Sequence, residues 1–89
     1  MPVEVRPTTR FERQLKTLDS VTRTRAAKSI KQFLLDPRHP SLHFEKLKGT
    51  DVRTIRVDMN FRIAMRAVGG STYDLIDVGS HDDIYGRWG

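Results

Sequence analysis

From Val52 onward the chain alternates apolar and polar residues with a period of two, and in VRTIRVDMNFRIAMRAVGGSTYDLIDVGS that alternation constrains pairing as well as conformation. If Asp58-Met59-Asn60 forms a three-residue hairpin loop, Val57 faces Phe61 across it. Ile55 then faces Ile63 on one side of the sheet, and Arg56 faces Arg62 on the other. A two-residue loop at Met59-Asn60 would set Arg56 against Ile63 and mix the two faces. The first register keeps each face uniform and is the one expected.

Gly69-Gly70 suits a two-residue turn in which Val68 meets Ser71. Continued from that turn, the ladder pairs Phe61 with Val78 and Ile63 with Ile76 on an apolar face. Arg62 with Asp77, Ala64 with Leu75 and Arg66 with Tyr73 lie on the opposite, basic face. The apolar face, which holds Ile55, Val57, Phe61, Ile63, Met65, Ile76 and Val78, needs a cover.

The first half of the chain supplies that cover. PVEVRP alternates around Val3 and Val5 and reads as a short first strand. Thr9 stands three residues before Glu12, the spacing of a capping box, and Phe11, Leu15 and Leu18 follow at i, i+4 and i+7, which predicts a short amphipathic helix over residues 10–18. A second helix starts at Asp19 or Ser20 and stops at Asp36-Pro37, because proline disfavours a helical conformation in the residue before it. Its buried stripe is expected at Ala26 or Ala27, Ile30, Phe33 and Leu34. PRHPSLHFEKLKGTD, with two prolines and a glycine, reads as a connection. The expected fold is therefore α+β: a short N-terminal strand, a two-helix hairpin and a three-stranded antiparallel meander, with the helices packed on one face of the sheet. It forms a single domain over residues 1–89.

Composition narrows the function. A hydrophobic share of 37% with 30% charged residues describes a chain that folds rather than a disordered one. No run approaches the roughly 18 apolar residues of a membrane span. MPVEVRPTT lacks the apolar centre of a signal peptide, so a cytoplasmic location and no membrane partner are expected. There is no cysteine, and His39, His43 and His81 stand outside any ligand spacing, so neither a metal nor another cofactor is expected. The net charge of +5 favours an acidic partner, either nucleic acid or an acidic protein segment.

Two arginines directly opposite each other on a strand pair repel, so Arg56 and Arg62 need a reason. Either both side chains splay into solvent, with Asp77 bridging to Arg62, or the pair holds an anion, for which guanidinium is suited because it binds phosphate bidentately. In the expected register the turn end of the first hairpin lies beside the exit of the last strand, where GSHDDIY begins. Ser80 can cap a short helix there, Asp82 and Asp83 favour its first turn, and i, i+4 spacing puts His81 and Tyr85 on one face. Arg56, Arg62, His81 and Tyr85 should then gather at one rim. Such a set has the chemistry of RNA cleavage: cations for the phosphoryl oxygens, an acid or base in His81, and in Tyr85 a ring that stacks or a hydroxyl that passes a proton. A surface histidine and a tyrosine packed on the sheet edge would satisfy the spacing equally well. Lys46 and Lys48 in FEKLKG, together with Arg66 on the basic face, are candidate RNA-backbone contacts. Arg23, Arg25, Lys28 and Lys31 on the second helix form a solvated face or receive an acidic partner.

Taken together, KLKG ahead of the strands, IRVDMNFRI across the first hairpin and VGSHDDIY at the end, in this order through nearly the whole chain, resemble the RelE/ParE superfamily of type II toxins. The resemblance to the RelE branch implies a metal-independent endonuclease that cuts messenger RNA in the ribosomal A site and inhibits translation. It also implies a cognate antitoxin that neutralises the toxin in a hetero-oligomer. By position it makes Arg56 and Arg62 the phosphate-binding cations, His81 the basic residue and Tyr85 the tyrosine of the catalytic set, with Lys46 and Lys48 near RNA. Thr54 stands where some members carry a further cation, and His81 where others carry arginine. The ParE branch, which inhibits DNA gyrase by binding, implies the alternative, and a non-catalytic basic interaction module is a third possibility.

Overall fold

The alternation after Val52 does produce strands, and the segments before it contribute two more. In the computed structural model, which describes residues 2–89, the chain runs β1 (Glu4–Pro7), α1 (Thr9–Lys16), α2 (Ser20–Leu35) and a 3-10 turn (Pro40–Leu42). It continues through β2 (Glu45–Lys46), β3 (Val52–Arg56), β4 (Phe61–Gly69), β5 (Thr72–Ser80) and α3 (His81–Trp88). The meander β3-β4-β5 is the centre of a five-stranded mixed sheet of order β1-β5-β4-β3-β2. β1 joins it as a parallel strand beside β5, and β2 forms its far edge against β3. β2 lies inside the segment read above as a connection; only two residues of it pair, too few to show a period.

The first hairpin has the expected register, with Ile55 opposite Ile63 and Arg56 opposite Arg62. Asp58 stabilises its loop by accepting on Oδ1 from the main-chain N–H groups of Asn60 (2.8 Å) and Phe61 (2.9 Å). The second hairpin corrects the sequence reading. Gly69 pairs with Thr72, so the turn is Gly70-Ser71, one residue later than expected. Irregularities between Ala67 and Gly69 and beside Ala64/Met65 then shift the ladder twice, so that Phe61 faces Ser80, Ile63 faces Val78 and Ala64 faces Asp77. A bulge places two successive residues against one partner. Leu75 and Ile76 exchange faces as a result: Leu75 joins the helix-covered core and Ile76 lies on the opposite side.

The main core contains Phe11, Ala26, Phe33, Ile55, Ile63, Met65, Leu75 and Val78 between the helix pair and the sheet. α1 begins at Thr9, one residue earlier than predicted, and ends at Lys16, two residues short of the predicted Leu18. Thr8, not Thr9, is the N-cap, accepting from Phe11 N (3.2 Å) while its own hydroxyl donates to the Leu75 carbonyl (2.7 Å), which ties the helix start to β5. α2 starts at its expected cap, with Asp19 accepting from Thr22 N (2.7 Å), and stops before Asp36-Pro37. Thr22, Ala26, Ser29 and Phe33 are its buried stripe, with Ile30 half-buried. Leu34 is exposed rather than buried, because the helix turns by about 100° per residue and carries it away from Phe33.

A second, smaller core occupies the face that the sequence reading left open. Leu47, Val52, Ala64, Ile76 and Ile84 cluster there, with Tyr85 and Trp88 against them. α3 folds back over the sheet and covers its middle. Among the described residues no helix is long and apolar enough to cross a membrane.

Candidate functional site

The position of α3 decides which side chains meet. Ser80 caps it, accepting from Asp83 N (3.1 Å), and Asp82 and Asp83 occupy the first turn, where the helix dipole favours acidic groups. The main-chain N–H of His81 donates to the Asn60 carbonyl (2.7 Å), which pins the helix start to the loop of the first hairpin. The far end is held by Asp77. This fully buried carboxylate accepts from Arg87 (2.9 Å) and from the Trp88 indole N–H (2.9 Å), with Arg10 3.6 Å away around the edge of β5. Burial pushes the Asp77 carboxyl up, but the hydrogen bonds from Trp88 and Arg87 and the charges of Arg87 and Arg10 outweigh it and leave the group below the ordinary carboxylate range. The expected bridge from Asp77 to Arg62 does not form: the register shift sets Asp77 against Ala64 and aims it at α3.

Between those two anchors the i, i+4 pair is displayed as expected. The rings of His81 and Tyr85 stack with centroids 4.1 Å apart and 21° between planes, and His81 is half exposed. The Tyr85 hydroxyl donates to the Glu45 carboxylate on β2. Burial and then Glu45 push the Tyr85 hydroxyl up in pKa, while Thr54 and the Arg62 guanidinium pull weakly the other way. Arg62 is held by its own loop, with Nη1 donating to the carbonyls of Asp58 (2.7 Å), Phe61 (3.0 Å) and Met59 (3.3 Å). One rim of the α3 face therefore carries a carboxylate, a tyrosine, a histidine and an arginine.

Glu45 did not stand out in the sequence. Its signal was available only as the residue two positions before Leu47: alternation along β2 puts Glu45 and the buried Leu47 on one face and Lys46 on the other. Lys46 is exposed opposite Arg53, and Lys48 is exposed in the turn after β2. Arg66 lies four residues along β4 from Arg62, paired with Asp51 (3.1 Å) and 5.8 Å from the Trp88 ring. Arg56 has its Cα opposite that of Arg62, and its carbonyl accepts from the Ser29 hydroxyl of α2 (3.0 Å). Among the described residues no group of three His, Cys, Asp or Glu side chains could hold a metal ion.

This arrangement can move protons next to a fixed positive charge. A carboxylate and an imidazole share contact with one tyrosine, so the two could act on opposite ends of a bond in a ligand that displaces or covers the phenol. Arg62 presents a guanidinium whose orientation is set by three main-chain acceptors, and its remaining donors suit a phosphate.

The sequence model of the family described as "ParE toxin of type II toxin-antitoxin system, parDE" matches residues 5–85. A search of curated protein sequences gives no significant match. Among solved structures the fold is similar to that of an Escherichia coli RelE toxin mutant in the free state, with 20% identity, 99% of this chain and 95% of that one covered, and a TM-score of 0.72. It is also similar to the RelB-RelE antitoxin-toxin complex of Methanococcus jannaschii, with 24% identity, 93% and 98% covered, and a TM-score of 0.71. A third similar structure is the Escherichia coli DinJ-YafQ toxin-antitoxin complex, with 8% identity, 96% and 99% covered, and a TM-score of 0.74.

Proposed function

We propose that this chain, which belongs to the ParE toxin family of type II toxin-antitoxin systems, is a ribosome-dependent endonuclease that cleaves messenger RNA without a metal and is neutralised by a cognate antitoxin. The observation that carries the reading is the rim itself: Glu45, Arg62, His81 and Tyr85 converge from three elements that are far apart in sequence. A gyrase inhibitor acting only by contact has no need of a carboxylate, an imidazole and an oriented guanidinium together.

In the proposed reaction, Glu45 accepts the proton of the 2′-hydroxyl and O2′ attacks the adjacent phosphorus. The bond from phosphorus to O5′ breaks, and protonated His81 donates to the leaving oxygen. The products are a 2′,3′-cyclic phosphate and a 5′-hydroxyl end. Arg62 offsets the charge that grows on the non-bridging oxygens. The Tyr85 ring holds the His81 imidazole by stacking, and its hydroxyl occupies Glu45 until a substrate group takes its place. Lys46, Lys48 and Arg66 would contact the RNA backbone more remotely, Arg66 after exchanging its contact with Asp51. The presence of an antitoxin in the RelB-RelE and DinJ-YafQ complexes supports a protein partner of the same kind here.

The test is in vitro translation with and without the protein, followed by primer extension on the message. Cuts within codons that vanish in the Arg62→Ala and His81→Ala variants support the reading. Intact message together with a DNA-damage response on induction would instead favour gyrase inhibition, the second reading, which the ParE description of the matching family supports.

A further inference from the structure

Four residues that are successive Cα partners form one row across the sheet: Asp77 on β5, Ala64 on β4, Thr54 on β3 and Glu45 on β2. α3 is fastened to both ends of this row. Arg87 and Trp88 donate to Asp77, and the Tyr85 hydroxyl donates to Glu45. Residues two apart on a helix point about 200° apart, so Tyr85 and Arg87 reach opposite ends of the row from the same helix. The middle of the row is small and closed to water: Ala64 is fully buried and Thr54 is 1% exposed. Tyr85 packs against the cluster that contains Ala64 and ends on Glu45, so the phenol reaches its acceptor by way of Thr54, which stands between those two residues.

A hydroxyl at this place needs a use. Valine would fill the same space on a central strand with no polar group to satisfy, and Val52, two residues back on the same face, does so. The use visible in the structure is Tyr85. Thr54 acts on the phenol as a hydrogen-bonding neighbour and pulls its pKa down, against burial and Glu45, which push it up. That direction corresponds to Thr54 donating to the phenol oxygen while the phenol hydrogen lies on Glu45. A threonine hydroxyl accepts as well as donates. The same neighbour can therefore hold the phenol in a second orientation, in which the tyrosine has let go of the carboxylate.

We propose that Thr54 is a positioning residue of the cleavage site, which takes over the Tyr85 hydroxyl when the 2′-hydroxyl of RNA claims Glu45. The proposal rests on the RNA-cleavage reading and adds the step that reading leaves open, namely where the displaced phenol goes. The exchange moves hydrogen bonds only. In the free protein the Tyr85 O–H lies on Glu45; with RNA in place the 2′-O–H lies on Glu45 and the Tyr85 O–H lies on Thr54 Oγ1. Only the O–H bond turns, about the C–O axis, so the ring stays stacked on His81 and the group that protonates the leaving oxygen keeps its place. Without the Thr54 hydroxyl the phenol either keeps hold of Glu45 or loses its partner, and both oppose attack.

The experiment compares the full-length chain with Thr54→Val, which removes the hydroxyl and keeps the β-branched shape, and with Thr54→Ser, which keeps the hydroxyl. Both changes are also made in a Tyr85→Phe background. Message cleavage in a translation extract should slow by about ten-fold in Thr54→Val, the contribution of a single hydrogen bond, and return in Thr54→Ser. In the Tyr85→Phe background the valine change should have no further effect, because the group it acts through is gone. Ultraviolet titration of the free protein reads the contact without RNA: the late-ionising tyrosine, the one lost in Tyr85→Phe, should ionise later still in Thr54→Val and as in wild type in Thr54→Ser. An unchanged tyrosine titration in Thr54→Val overturns the proposal. So does cleavage by Thr54→Val at the wild-type rate, which leaves the nuclease reading intact. Equal slowing with and without the Tyr85 hydroxyl assigns Thr54 to packing alone and overturns it too. A wild type that cuts no message overturns the nuclease reading and the proposal together.

Discussion

The Tyr85 hydroxyl donates to the Glu45 carboxylate across 40 positions of sequence and thereby fastens α3 to the edge strand β2. The same tyrosine lies flat against His81, so one side chain touches both groups that would exchange protons with a substrate. In the free protein Glu45 is occupied, and the phenol guards it.

Replacing Glu45 should therefore separate chemistry from folding. Glu45→Gln keeps the shape and a hydrogen-bond acceptor for Tyr85 but cannot take a proton. Message cleavage in a translation extract should fall by roughly 10²–10⁴, the usual worth of a positioned acid or base, while the thermal midpoint moves little. Primer extension and a thermal melt on the same preparation check both halves.

The phenol itself offers a spectroscopic reading. Burial and Glu45 raise its pKa above the ordinary value of 10.0, so the folded state favours the protonated ring. Stability from this group is present below the unfolded value and is lost as pH rises through the folded one. Ultraviolet titration should show one tyrosine ionising later than the ordinary value in wild type, and earlier in Glu45→Gln than in wild type.

Asp77 should control how α3 is held. Its folded pKa lies below the ordinary carboxylate value of 3.8, so it contributes stability above that pH and loses it as the solution is acidified through the folded value. Asp77→Asn should cost about 1–3 kcal/mol at neutral pH, kept at that level because Arg10 and Arg87 remain partly exposed and can turn to water. The loss should shrink as pH falls, and chemical denaturation at neutral and acid pH measures it.

Loosening the other end of α3 is the complementary test. Ser80→Ala removes the acceptor for Asp83 N and should cost about 1 kcal/mol. Amide exchange should accelerate along His81–Trp88 while α2, which rests on the main core, keeps its protection.

The two hairpins show what a sequence of this kind reveals and what it hides. Around Asp58 the loop is regular, and the demand that Ile55 and Ile63 share a face was enough to pair Arg56 with Arg62. Around Gly70 two irregularities intervene. A bulge leaves no mark in an alternating pattern beyond one pair of adjacent apolar residues, and Leu75-Ile76 was such a pair. The helix pair was legible through its caps and its proline, apart from the cap of α1, which is Thr8 in place of the expected Thr9 and is fixed by the distant Leu75 carbonyl. His81 and Tyr85 were legible as an i, i+4 pair. Glu45 was not, since its role comes from a two-residue strand and from a partner half the chain away. Arg56 was grouped with Arg62 by cross-strand pairing, and the observed register has that pairing.

The parallel pairing of β1 with β5 bears on when this protein becomes competent. Among the described residues Glu4 to Pro7 find their only sheet neighbour in Thr72 to Leu75, and Arg6 closes its ion pair with Asp74 over 68 positions. A growing polypeptide that has not yet emitted β5 has no surface for its first strand, no carbonyl for the Thr8 hydroxyl and no carboxylate for Arg10. Contacts of such long range form late. The rim around His81 therefore cannot assemble until β5 and α3 have both left the ribosome.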